Sequence, residues 1–261
     1  MTKLHFDYYM RIDYSEEVAT CNYTIKCIPM QNLRQIPTDI KIELSPPSKY
    51  CLGKDGLKNN QIYGRNELPH KMFYYHITGN AEVGLCSYDE VENSDISMVF
   101  KHPHGLNKAG NKITEYFNKL QLKDIDSDYD KAVYVMNRFY EDYDYQPLTT
   151  DLNTTAEEAF AQGHGVCQDF AHIFIAIMHL ANIPARYVTG LIVGEGQSHA
   201  WVEILVDGKW YGLDPTNNKK VLNEHIKLGV GRDARDCMIN RGIMHGGGLH
   251  TQTVKVNVEE I

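Results

Sequence analysis

The sequence predicts an α+β protein, and three observations carry that prediction. Short aromatic or β-branched runs between Pro, Gly and Asn clusters fill the first hundred residues; a helical period takes over between Leu106 and Ala181; alternation returns after Arg186. Such segregation of strands and helices is the pattern of an α+β fold. The 261 residues are 43% hydrophobic and 23% charged, which is a folded rather than a disordered composition. Two units are expected: a small antiparallel β domain over 1–104, and a second domain of helices and returning strands over 105–261.

The β runs expected in the first unit are His5–Asp13, Thr20–Ile28, Ile40–Leu44, Lys71–Ile77 and Ser97–Phe100. The segment from Ser45 to His70 is rich in turn residues and reads as loops, and residues 101–110 read as a linker. Helices are expected over Leu106–Leu120 and Tyr129–Tyr143, where Ile113/Phe117/Leu120 and Val133/Met136/Phe139/Tyr140/Tyr143 fall at helical spacing. Thr155 with Glu158 three residues on matches a capping box, so a short helix over Ala156–Gln162 should end at Gly163. The next helix carries Phe170, Phe174, Ile177, Met178 and Ala181 on one stripe, with Pro184 as its stop. RYVTGLIVG, SHAWVEILV and KWYGLDP follow as strands, the last two joined by Asp207-Gly208, a strong hairpin signal.

Composition also excludes partners. The net charge of −8 leaves no positive excess for a phosphate backbone, so nucleic acid is not expected. The start MTKLHFDYYMRIDY lacks the basic flank and apolar run of a signal peptide. The most apolar stretch, Phe170–Leu180, carries two histidines and is about half of the roughly 20 residues that a membrane span needs. No membrane partner is expected. Cys21, Cys27, Cys51, Cys86, Cys167 and Cys237 lack C-x-x-C spacing and read as reduced thiols of a cytoplasmic protein.

Chemistry concentrates around Cys167. A thiol in the first turn of a helix meets unpaired backbone N–H groups and the positive end of the helix dipole, both of which favour the thiolate. Gly163 and Gly165 allow tight backbone geometry just before it. The hairpin supplies a second element. With a two-residue turn, Val206 pairs with Lys209, and His199, Trp201 and Glu203 share a face with Trp210, Gly212 and Asp214. His199 and Asp214 are then diagonal neighbours, roughly 7–8 Å apart along the backbone, near enough for a carboxylate to orient an imidazole.

GVCQDFAH (165–172), ARYVTG (185–190), SHAWVEI (198–204), DPTNN (214–218) and VGRDARD (230–236) together resemble the transglutaminase-like superfamily, closest to its bacterial and archaeal cysteine-protease branch, over roughly 148–248. The resemblance implies a papain-like core with Cys167 as nucleophile, His199 as general base and acid, and Asp214 as its orienting partner. It also implies that Trp201 is an aromatic beside the site. The tail departs from the family pattern at Cys237-Met-Ile-Asn before Arg241, and at His245.

The expected activity is hydrolysis of peptide or isopeptide amides through a thioester acyl-enzyme. Amine transfer, as in a cross-linking transglutaminase, and a non-catalytic peptide-binding module are the alternatives. Val166, Gln162, Tyr145 and Trp201 are candidates for oxyanion or substrate contacts. No cofactor is expected. No metal is expected either, because His164, Cys167 and His172 lack metal-ligand spacing and neither H-E-x-x-H nor a calcium loop occurs. His172 is expected to pack rather than to react, and the oligomeric state is left open.

Overall fold

The computed structural model describes residues 1–92, 95–147, 150–196 and 198–261; Leu148, where the family resemblance begins, lies outside them. The first half of the chain forms β1 (Thr2–Ile25), β2 (Gln35–Ser45), β3 (Tyr50–Lys54), β4 (Asn60–Asn66) and β5 (His70–Val83). Strict alternation buries Leu4, Phe6, Tyr8 and Met10 on one face of β1. The two runs expected at its ends are one continuous strand, because the polar stretch at Ser15–Glu17 keeps its backbone bonded: the N–H groups of Ser15 and Glu16 donate to the carbonyls of Leu249 and Gly247. Register shifts around Val18 bend the strand there.

Two further expectations are corrected. The segment from Ser45 to His70 is not all loop, since β3 and β4 pair within it and β4 joins β1. Ser97–Phe100 is not a strand but part of a 3-10 helix over Asp95–Phe100, whose Phe100 buries edge-on against Trp210.

The remainder of the chain runs α1 (Asn111–Lys119), α2 (Asp128–Asp142), β6 (Asp144–Tyr145), α3 (Ala156–Gln162), β7 (His164–Gly165), α4 (Cys167–Leu180), β8 (Ala185–Ile192), β9 (Gly194–Gly196), β10 (His199–Val206), β11 (Lys209–Asp214), β12 (Lys219–Lys220), β13 (His225–Gly231), β14 (Asn240–Gly246) and β15 (His250–Glu260). The first helix starts at Asn111 rather than at Leu106, which sits in a separate 3-10 turn. The Thr155–Glu158 capping box forms as expected. Asn182 in the left-handed region ends α4 with Ile183 N–H donating to Met178 O at 2.9 Å, a Schellman closure two residues before Pro184.

Strands β12-β11-β10-β8-β13 form one antiparallel sheet. α4 packs on β8 and β10, and α1, α2 and α3 pack on α4. Every residue from Asp169 to Met178 is therefore buried, all round the helix and not only on the expected stripe. The other sheet has the order β2-β5-β1-β15-β9, with β14 and β4 also on β1. It thus draws strands from both sides of residue 104.

The two sheets share an apolar core in which Leu191, Ile226, Leu228 and Ile239 pack with Phe6, Tyr8 and Val256. They also share a chain of charge that is buried except at Glu90. Asp89 bonds Arg34 at 2.9 Å and Lys227 at 3.1 Å; Lys227 reaches Glu203 at 2.9 Å; Arg186 bonds Glu203 at 2.6 Å and also pairs with Glu90. Three cations thereby meet three anions. Burial opposes ionisation of Asp89, but Lys227 and Arg34 hold it below the ordinary carboxylate range. Removing one partner would strand the others in a medium that cannot hydrate them. Asp89→Asn should accordingly lower the unfolding free energy by about 3 kcal/mol, read from urea denaturation; an unchanged midpoint would refute this role.

Candidate active site

Local chain geometry presents Cys167 at the mouth of a cleft between the two sheets. β6 and β7 pair in parallel, Tyr145 opposite Gly165, and Gln146 N–H donates to Gly165 O at 2.9 Å. This holds the segment before the cysteine extended. A Cβ at Gly165 would lie 2.7 Å from the Asp169 side chain and 2.9 Å from Tyr143 Oη, so only glycine passes there. Asp169, buried at the start of α4, accepts the Val166 N–H at 2.8 Å and the Thr150 hydroxyl at 2.6 Å. The N–H groups of Cys167 and Gln168 have no hydrogen-bond partner among the described residues and sit at the helix N-terminus, where an anion is favoured.

His199 and Asp214 meet as the hairpin arithmetic requires. Asp207 and Gly208 both take positive φ, and the ladder runs in register from Val206↔Lys209 to Val202↔Leu213. His199 Nε2 lies 2.8 Å from Asp214 Oδ2. Asp214 is fully buried, and burial alone would neutralise it. Five hydrogen bonds offset that cost: Oδ2 accepts from His199, from His225 Nε2 at 3.0 Å and from Asn217 Nδ2 at 2.8 Å, while Oδ1 accepts the N–H groups of Thr216 and Asn217 at 3.1 and 3.3 Å. They hold its carboxyl well below the usual range. An ionised carboxylate can only accept, so each imidazole donates Nε2–H and the Nδ1 of His199 is left for sulfur. Burial lowers the His199 pKa, but its bonds to Asp214 and to Cys167 outweigh this and raise it to about 10.

His225 escaped sequence reasoning. It stands on β13, across β8 from His199, and no local spacing links it to Asp214. Gly190 of β8 lies opposite His199; a Cβ there would come within 2.2 Å of the Trp201 ring. With no side chain at that position, Trp201 fits beneath, edge-on to His225 at 5.2 Å.

The other candidates separate clearly. Cys167, His199 and Val166 line the cleft, which has a volume of about 680 Å³. The Val166 N–H is already spent on Asp169, so it is not an oxyanion donor. Tyr145 is exposed and is not a lining residue; partial burial, and secondly the neighbouring Cys167, raises its hydroxyl pKa. Gln162 is exposed at the end of α3 and is not a lining residue, and Trp201 is fully buried; neither touches the cleft. His172 packs against Tyr187 and accepts the Ala234 N–H at 3.1 Å. His199, Asp214 and His225 bring ligating atoms within 4.8 Å of one another. A cation there would have to displace both N–H···O bonds, so the metal and hydrogen-bonded states of these residues exclude each other.

Residues 117–215 match the model of the transglutaminase-like superfamily, and this part of the chain is a transglutaminase-like core. A solved structure from Cytophaga hutchinsonii named "Putative Cysteine Protease" superposes with a TM-score of 0.79 over 100% of this chain and 91% of its own, at 19% identity; it shares the fold. An uncharacterized protein of Mycobacterium leprae is 38% identical over 128 residues, covering 45% of this chain and 46% of its own length. One of Mycobacterium tuberculosis is 33% identical over 125 residues, covering 42% and 40%. The match thus spans less than half of these relatives. No helix among the described residues is long and apolar enough to cross a membrane.

Buried imidazoles make stability depend on pH. Burial lowers His172 to about 4 and also lowers His225, against about 6.5 in the unfolded chain. A depressed histidine contributes its full stability above the unfolded value and loses it as pH falls. Unfolding free energy should drop by a few kcal/mol between about pH 6.5 and 4. His172→Gln, which can still accept from Ala234, should flatten that fall. Parallel pH–stability curves for the two proteins would refute it.

Proposed function

With a transglutaminase-like core as the premise, we propose that the chain is a cysteine hydrolase of peptide or isopeptide amides, with Cys167, His199 and Asp214 as its triad. The observation that carries this reading is the convergence on one imidazole of a buried, ionised carboxylate at Nε2 and a thiol at the remaining nitrogen. In the reaction the sulfur anion attacks the amide carbonyl, and the oxygen takes up negative charge beside the N–H groups of Cys167 and Gln168. The C–N bond breaks as His199 gives its Nδ1 proton to the leaving amine, leaving a thioester. Water then adds as His199 takes back a proton; the C–S bond breaks, and a carboxylate and Cys167 are released. Because the cleft opens to solvent, water is the acceptor we assign.

His225 is a positioning residue, fixing the carboxylate that fixes His199. Cys21, Cys27, Cys51, Cys86, Cys167 and Cys237 are all free thiols, which favours a reducing, cytoplasmic setting.

Exposed Cys51 provides an internal reference for the nucleophile. At neutral pH, iodoacetamide followed by site-resolved mass spectrometry should modify Cys167 about tenfold faster than Cys51. His199→Ala should erase that advantage, and Cys167→Ala should abolish peptide turnover. Equal rates at the two thiols in the wild type, or turnover surviving Cys167→Ala, would overturn the assignment. Replacing His225 by Phe should lower kcat by about tenfold with KM little changed; an effect confined to KM, or none, would remove His225 from the machinery.

A further inference from the structure

We propose that the cleft selects substrates bearing a carboxylate beside the scissile amide, bound by Arg235 and Arg241. This names the substrate class of the hydrolase site proposed above and rests on that reading. The chain contains eight arginines. Arg11, Arg34, Arg65, Arg138, Arg186 and Arg232 each meet an Asp or Glu at 2.6–3.1 Å. The two that meet no carboxylate among the described residues, Arg235 and Arg241, both line the cleft with Cys167 and His199. In a chain of net charge −8, two arginines without a carboxylate partner stand out. Besides His199, these arginines are the only charged residues lining the cleft, with no Asp, Glu or Lys among the described lining residues.

Both arginines are exposed and so carry little desolvation cost before binding. Arg235 makes one long hydrogen bond, 3.3 Å, to the neutral Asn153 amide, itself a lining residue. Arg241 stands on β14 opposite Thr24, with no side-chain partner among the described residues. A guanidinium presents a planar fork of donors that a carboxylate accepts in pairs. Both arginines also border an adjoining cavity with Asp55 and Asp236, which are already paired with Lys26 and Arg232; on the side of Cys167 they face no acid among the lining residues, and two such forks attract anions there and orient them toward the nucleophile. An acidic side chain and a free C-terminal carboxylate share this chemistry.

Equilibrium binding to the full-length Cys167→Ala protein tests the proposal apart from catalysis. Four peptides of equal length are compared: one with internal glutamates and a blocked C-terminus, one neutral with a free C-terminal carboxylate, one neutral and blocked, and one with lysines and blocked. At least one carboxylate peptide should bind about tenfold more tightly than the neutral blocked peptide, and the advantage should shrink with added salt. Whichever of the two gains identifies the source of the carboxylate. Arg235→Gln with Arg241→Gln should bring the ratio close to one. Equal affinity for the neutral or lysine peptide, a ratio unchanged in the arginine variants, or no binding of either carboxylate peptide overturns the proposal. Turnover by the native protein separates the two claims. Cleavage without carboxylate preference leaves the hydrolase standing and removes this inference. Carboxylate-selective binding without any turnover removes the hydrolase and leaves the recognition.

Discussion

Asp214 is charged in a place where water cannot reach it, and the geometry around Cys167 follows from how that charge is satisfied. A buried carboxylate short of donors would take up a proton and lose its hold on both imidazoles. Its five donors come from β10, from β13 and from the turn after β11, so one anion pins three separate segments of the sheet. His199 keeps its proton on that account, and its ring is oriented by the same bonds. Orientation of the ring and basicity of the ring therefore have a common cause.

A second buried electrostatic cluster lies just beyond it. Alternation along β10 puts Glu203 on the face that carries His199 and Trp201, and alternation along β13 puts Lys227 beside His225. Arg34 joins the two clusters, since it donates to the backbone carbonyl of His225 at 3.0 Å while bonding Asp89. The strand that delivers the second imidazole is thereby held by Arg34, the residue immediately before β2 of the other sheet. Stability of the interface and precision of the site draw on the same bonds, a coupling that separate packing of the two sheets would not give.

The legible part of this arrangement was local. The turn at Asp207-Gly208 fixes register, register fixes which side chains share a face, and His199 with Asp214 follow from a few residues of sequence. Cys167 at a helix start is equally local. His225 is not, because its partner is reached only after β8 has been inserted between β10 and β13, an order that no periodicity records. Tertiary context overrode local preference elsewhere as well: Phe100, in an apolar, β-like run, turns into a 3-10 helix to bury against Trp210, and the polar Ser15–Glu17 stretch stays extended because residues 247–249 pair with it. The strand over His250–Glu260 alternates plainly at its end, yet its place beside β1 depends on the whole intervening chain.

That last pairing governs the order of assembly. β1 is made well before β15, which occupies its neighbouring edge and supplies Gln252 and Val254 to the cleft. Contacts of such high sequence separation close slowly, and an unpaired edge is prone to association while it waits. A nascent chain that has already threaded Cys167, His199 and Asp214 still lacks one wall of its binding groove. Synthesis of β15 thus separates a chain in which Cys167, His199 and Asp214 can already meet from one whose cleft has all its walls.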